Sequence, residues 1–318
     1  MGVELVASRG ARAKNAVALC VDENYFPFAC FVADQIQRKA IGLELDIVIC
    51  APESCVVPEG LVDIRLCHIE THGLFDGLFL DARRTENVYH WLALPVAMHS
   101  EYERILYLDA DIYFHGGDLA ELFAIDMGSC PIAAVRDNCQ WVKQDKLVAI
   151  FKRLSLPAEK YLNSGVILID VQKFVSEDIL GRCLTYGRKM KGKQRQHDQE
   201  LINCVLHGNW TELSPMWNWQ QPLRSAYFEV YLPVRISHFI GPGKPWRDPD
   251  RIVPQRYVMA ISAFIARNFP EIPQIEIPKS TDLSAANVRK ATVKNVIRQF
   301  TLMRYVKRFP TDLLAADD

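Results

Sequence analysis

Apolar residues along this chain come in short runs that end on acidic or amide side chains, with stretches of helical spacing between them. Ala16–Val21 is such a run and stops at Asp22. Pro27–Ala40 then carries apolar residues at helical spacing, with a proline near its start, where a missing N–H is harmless. Leu45–Cys50 and Val62–His68 read as further strands, Val88–Met98 as a helix, and Arg104–Leu108 as a strand of the buried type. Ile132–Val135 and Val166–Ile169 add two strands, and Gln199–Leu206 a helix. Buried runs alternating with helices predict an α/β fold, with a Rossmann-like, mostly parallel central sheet and helices on both faces. Beyond that helix the period is lost, and Trp210, Trp217, Trp219 and Trp246 fall among prolines and glycines. There is no internal repeat. Composition shifts after Pro278, which divides the chain into a domain over 1–278 and a tail over 279–318.

Composition narrows the classes. The 318 residues hold 37 basic and 38 acidic side chains, a net charge of −1, which argues against a nucleic-acid binder. Hydrophobic residues at 49% supply a core and exclude global disorder. No stretch reaches the roughly 18 apolar residues of a spanning helix, and the apolar run after Arg9, Arg12 and Lys14 meets Asp22 and Glu23 too soon for a secretory signal. The nine cysteines are scattered without CxxC spacing, so a reducing, cytosolic compartment is expected.

In open α/β sheets the ligand sits beyond the carboxyl ends of the strands, so the polar residues there carry the chemistry. They are Asp22-Glu23-Asn24-Tyr25, Asp109-Ala110-Asp111, Arg136-Asp137-Asn138, and Asn163-Ser164 leading into a strand. Residues i and i+2 of an extended chain point to one side, so the carboxylates of Asp109 and Asp111 converge. Like charges so placed call for a shared proton or a hard divalent cation, Mg²⁺ or Mn²⁺. A solvated turn with Asp109 as its cap is the plainer alternative. Far downstream, His238 ends a strand-like run and is followed by Gly241, Gly243, Lys244 and Trp246. Imidazole suits Mn²⁺ beside carboxylates, and a lysine suits phosphate.

Four strings occur in order: Leu106-Tyr107-Leu108-Asp109-Ala110-Asp111, Asn163-Ser164-Gly165-Val166-Ile167-Leu168-Ile169-Asp170, His197-Asp198-Gln199-Glu200, and His238-Phe239-Ile240-Gly241-Pro242-Gly243-Lys244-Pro245-Trp246. Together they resemble glycosyltransferase family 8, which includes bacterial lipopolysaccharide galactosyl- and glucosyltransferases and the glycogenins. The resemblance spans roughly residues 16–246. It implies a GT-A fold, a nucleotide-sugar donor (usually a UDP-sugar), Mn²⁺ or Mg²⁺, and retention of anomeric configuration. It also implies roles by position. Asp109, Asp111 and His238 match the metal ligands. Asp22, Asn24 and Tyr25 match the nucleoside contacts. Asp137, Asn163, Asp198 and Gln199 match positions that hold the donor sugar, and Gly241 and Lys244 match the diphosphate contacts. Asp198 and Gln199 lie nearest the reacting carbon and, with Lys244 on the leaving group, are the candidate catalytic residues. One departure stands out: in Tyr89-His90-Trp91-Leu92, Trp91 stands where the family usually carries an arginine, and Arg83 or Arg84 is the candidate replacement.

The expected acceptor is a glycan or a lipid-linked glycan. A non-catalytic nucleotide-sugar-binding or partner-docking module of the same fold is the alternative that Trp91 leaves open. Nucleotidyl transfer and a dinucleotide dehydrogenase are disfavoured, because no glycine-rich loop follows Val21. Trp217 and Trp219 read either as a platform for an acceptor sugar or as core. From Leu283 to Pro310 seven basic residues accompany Val293, Val296, Ile297, Phe300 and Met303 at helical spacing, with no acidic residue. Such a helix reads as a peripheral anchor on an anionic membrane or as one that packs its apolar stripe on the domain.

Overall fold

The structure, a computed structural model, describes residues 2–81, 85–190, 197–221, 231–248, 253–276 and 285–315. In chain order it opens with β1 (Glu4–Ala7), β2 (Asn15–Cys20), α1 (Phe26–Lys39), β3 (Asp46–Cys50), β4 (Ile64–Glu70) and α2 (His90–Ala97). There follow β5 (Arg104–Leu108), β6 (Ile112–Phe114), α3 (Leu119–Ala124), β7 (Ile132–Arg136), α4 (Ala149–Arg153) and β8 (Leu162–Asp170). The chain continues with α5 (Val171–Ser176), α6 (Ile179–Lys189), α7 (Asp198–Leu206), β9 (Thr211–Leu213), β10 (Trp219–Gln220), β11 (Ile236–His238), α8 (Gln255–Asn268) and α9 (Ala285–Val306).

Eight strands form the main sheet in the order β1-β4-β3-β2-β5-β8-β7-β9. Six of them run one way, and β1 and β8 are reversed. This is the mostly parallel sheet that the continuous apolar runs predict, since such strands are covered on both faces. The alternation of side chains sorts the core accordingly. Val17, Leu19, Leu106 and Leu108 face one layer with α1 and α8, while Ala16, Ala18, Ile105 and Tyr107 face the other with α2, α6 and α7.

The reversed direction of β8 brings the start of that strand, Leu162–Gly165, to the edge where β2, β5 and β7 end. Asn163 and Ser164 therefore reach the same edge as Asp22, Asp109 and Asp137 although they precede apolar residues. A second sheet, β10-β11-β6, folds over this edge, with His238 paired to Ile112 and Phe239 N–H donating to Asp111 O at 2.9 Å.

Among the described residues of the tail, the last turn of α9 and the non-helical segment 307–315 after it join the domain. Leu302, Tyr305 and Phe309 are buried in its core, and Tyr305 stacks on Trp141 at 5.7 Å. The Tyr305 hydroxyl donates to Glu212, and Arg308 lies 3.3 Å from both Glu212 oxygens. Val293, Val296, Ile297 and Phe300 of the expected stripe stay exposed. The division at residue 278, Arg83 and Arg84 lie outside the described residues. No helix among the described residues is long and apolar enough to cross a membrane. All nine cysteines are free thiols.

Candidate active site

Strand β5 delivers Asp109 and Asp111 straight from a buried apolar run, and β11 delivers His238 from the sheet that folds over them. One ligand atom from each of these three side chains lies within 4.8 Å of the others. His238 Nε2 is 3.1 Å from Asp111 Oδ1 and 3.7 Å from Asp109 Oδ2. Despite that proximity, Asp111 Oδ1 is buried and accepts no hydrogen bond. Carboxylate oxygens and an imidazole nitrogen gathered this closely suit a cation between them. The mixed carboxylate and imidazole set fits Mn²⁺ or Mg²⁺.

The surroundings fix this arrangement. His238 Nδ1 lies 3.0 Å from Asn218 Oδ1, and Asn218 Nδ2 donates to Asn163 Oδ1 at 2.8 Å. Gly165 leaves the room the cluster occupies, because a Cβ there would sit 2.2 Å from His238 Cε1 and 2.8 Å from Asp109 Oδ2. Burial, with the Asp111 and Asp198 charges, pushes the Asp109 carboxyl up to about 7, against His238 and the Tyr107 hydroxyl, which donates to it at 2.7 Å. Burial acts in the same direction on Asp111, but Lys244 and His238 hold its carboxyl well below the usual range. Lys244 Nζ meets both Asp111 Oδ2 and the carbonyl of Phe239. The turn that carries Lys244 begins at Gly241, whose φ of +81° is the left-handed region that favours glycine.

Asp137, Asn163, Asp198 and Gln199 form one hydrogen-bonded chain with this cluster. Gln199 Oε1 accepts from Asn163 Nδ2 at 3.1 Å and from Ser164 N–H at 3.3 Å, and Gln199 Nε2 donates to Asp137 Oδ2 at 3.1 Å. Asp137 Oδ1 also caps the following turn through Cys139 N–H. Asp198 opens α7, where backbone amides favour a carboxylate. Its Oδ2 accepts from Trp91 Nε1 at 2.9 Å, and Ser164 bonds the same carboxyl. Burial raises the Asp198 carboxyl, and these donors oppose that rise.

Around Asp22, Asn24 and Tyr25 the grouping is looser. Asp22 Oδ1 caps the turn before α1 by accepting from Tyr25 N–H, and Asn24 is exposed in that turn. The Tyr25 ring meets Trp246 edge-on at 5.9 Å, and Trp246 stacks on Phe28 at 3.7 Å. Burial and the Asp111 charge both raise the Tyr25 hydroxyl, while Lys244 opposes them. Trp217 and Trp219 are core side chains, 1% and 0% exposed, so of the two readings the sequence leaves open the packing one holds. Asn218 between them is the site residue that sequence reasoning passes over. A lone amide between two tryptophans in Trp217-Asn218-Trp219 is the signal the sequence offers.

A family model, Glycosyl transferase family 8, matches residues 76–250. The chain is 32% identical over 158 residues to the protein named Probable glycosyl transferase Gly of Streptococcus gordonii, covering 48% of this chain and 21% of that protein. It is 25% identical over 201 residues to General stress protein A of Bacillus subtilis, covering 58% and 67%. It is 29% identical over 154 residues to lipopolysaccharide 1,3-galactosyltransferase of Salmonella typhimurium, covering 45% and 44%. The matched part is thus about a fifth of the first relative's length and under half of the third's. Among solved structures, galactosyltransferase LgtC in complex with donor and acceptor sugar analogues superposes with a TM-score of 0.65 at 20% identity, over 83% of this chain and 98% of that one. The chain belongs to glycosyl transferase family 8 and has the GT-A fold of that family's enzymes.

Proposed function

We propose that this glycosyltransferase is metal-dependent and retaining, and moves a hexose from a UDP-sugar to a glycan or lipid-linked acceptor. The observation that carries the reading is the convergence of Asp109, Asp111 and His238 beside Lys244. Those three side chains would hold Mn²⁺ or Mg²⁺. A bound divalent ion supplies Lewis-acid charge neutralisation at the donor diphosphate. Lys244, an ammonium already seated against Asp111, is within the same cluster and adds a point charge for the leaving phosphate. Asp22, Asn24 and Tyr25 contact the nucleoside, and the backbone at Gly241 approaches the diphosphate.

Glycosyl transfer passes through an oxocarbenium-like transition state. Asp137, Asn163, Asp198 and Gln199 hold the sugar while that charge develops. The Gln199 carbonyl already takes two N–H donors, and the Asp198 carboxyl takes Trp91 and Ser164. Acceptors engaged in this way are poor attacking groups, which supports attack on the same face that the diphosphate leaves. The names of relatives that act on lipopolysaccharide support a lipid-linked acceptor, and so work at a membrane surface. The exposed stripe of α9, in a basic segment, supports peripheral attachment there. A panel of UDP-sugars assayed for UDP release with Mn²⁺ tests the reading. Turnover of at least one UDP-hexose is expected, and none with any donor contradicts it.

A further inference from the structure

Four tryptophans, Trp91, Trp210, Trp217 and Trp219, are among the largest fully buried side chains. The indole N–H groups of three of them have no hydrogen-bond partner. Trp91 differs: its N–H is spent on the Asp198 carboxylate at 2.9 Å, 107 residues along the chain. Its ring lies stacked on Tyr107, with centroids 5.5 Å apart and planes 22° apart. The Tyr107 hydroxyl in turn donates to Asp109 Oδ1 at 2.7 Å. Side chains from α2, β5 and the first turn of α7 thus run without a gap from the sugar-side carboxylate to a metal-side one.

We propose that Trp91 is a positioning residue that sets Asp198 against the donor sugar through its N–H and braces Tyr107, and hence Asp109, through its ring. The inference rests on the proposed glycosyl transfer at this site. It also gives the departure from the family's arginine a function: one neutral donor occupies Oδ2 of Asp198 and adds no positive charge beside the sugar. The two halves of the residue separate experimentally. Removing the N–H alone loosens Asp198, whereas removing the ring also frees Tyr107.

The test is a double-mutant cycle with Trp91→Phe and Asp198→Asn. Trp91→Phe keeps an aromatic ring on Tyr107, so Mn²⁺ binding in the presence of UDP is retained within about threefold. Its kcat for donor turnover falls by about tenfold or more, the loss expected for one hydrogen bond to a charged group, with little change in donor KM. In the Asp198→Asn background the same change costs less than about twofold, because the partner is already altered. Additive effects, or a loss of KM alone, would overturn the proposal. If Trp91→Phe does not fold, benzothienylalanine at position 91, which replaces only the N–H by sulfur, gives the same readings. The indole N–H resonance of Trp91, identified by its disappearance in Trp91→Phe, judges the contact without activity. It moves in Asp198→Asn and is broadened by Mn²⁺, and a resonance indifferent to both contradicts the coupling. No turnover in wild type with the N–H resonance still coupled would count against the transfer reading alone.

Discussion

His238 Nδ1 and Asn218 Oδ1 lie 3.0 Å apart, and that single contact decides which imidazole nitrogen faces the carboxylates. Because Asn218 spends its amide N–H on Asn163, its oxygen must accept, so His238 carries a proton on Nδ1 and turns Nε2 toward Asp111. Such outer partners set ligand orientation and basicity. Asn218→Leu, which keeps the bulk, is expected to weaken Mn²⁺ binding by about ten- to a hundredfold. Calorimetric titration of Mn²⁺ into the UDP-bound protein checks this, and an unchanged affinity contradicts it.

Gly165 makes a second, steric prediction. A methyl group at that position would overlap His238 Cε1 at 2.2 Å and Asp109 Oδ2 at 2.8 Å, and both are held in place, by Asn218 and by Tyr107. Gly165→Ala is expected to abolish metal-dependent turnover. It should also lower the melting temperature by several degrees, because overpacking costs about 1–3 kcal/mol. Wild-type Mn²⁺ titration and melting in this variant would show that the cluster is looser than the distances imply.

Glu212 governs how the tail is held. Burial raises its carboxyl, but bidentate Arg136 at 2.9 and 2.7 Å, with Arg308 and Tyr305, outweighs burial and holds it below its ordinary value of 4.5. A carboxyl depressed in the fold contributes stability in full above the unfolded value, and that stability is lost as pH falls through the folded value. Stability is therefore expected to decline below pH 4.5. Glu212→Gln leaves Arg136 buried without its counter-charge and should cost about 3–5 kcal/mol at neutral pH, with a shallower decline in acid. Urea unfolding at neutral pH and at roughly pH 3.5 measures both effects. Equal slopes against pH in the two proteins would contradict the assignment.

The exposed half of α9 gives a prediction about location. Ile297 and Phe300 are 65% and 77% exposed, while the anchoring contacts of the helix come from Leu302, Tyr305 and Phe309. Asp at both 297 and 300 should leave folding and UDP release intact and abolish sedimentation with vesicles rich in anionic lipid. Binding that persists in the double variant, or wild type that never binds, would contradict a membrane role for this face. Deleting the helix is the worse test, since it also removes buried Tyr305.

The candidate metal site is legible because two carboxylates one residue apart end a buried run and His238, with Gly241, Gly243 and Lys244 behind it, ends another; the carboxylate pair alone fits a solvated turn equally well. The start of β8 was hidden. Asn163, Ser164 and Gly165 are polar or small within a strand, and the period-based reading began it at Val166. They are strand residues because their polar groups are taken up by Gln199, Asn218 and Asp198, which only the folded chain brings near. β1 was missed for another reason: four residues at a sheet edge, none fully buried, leave almost no pattern. Trp91 stands out in the sequence as a departure, yet its partner lies 107 positions away, so spacing along the chain does not disclose the contact. Tail periodicity pointed to an apolar stripe, but burial fell on its last turn, where Glu212 and Trp141 were waiting.

The most direct test of metal-dependent transfer is UDP release by Asp111→Asn, titrated with Mn²⁺ at a saturating UDP-hexose that the wild type turns over. Asp111 is paired with Lys244 and repelled by Asp109, so the exchange gives up an ion pair, relieves a like-charge contact and removes a charge from the cation site, and a melting curve confirms that the variant is folded. The account predicts that turnover falls by at least the roughly 3–4 kcal/mol of barrier typical of one lost electrostatic contact, and that added Mn²⁺ does not restore it. A folded Asp111→Asn protein that releases UDP at the wild-type rate, with the same Mn²⁺ dependence, would contradict it.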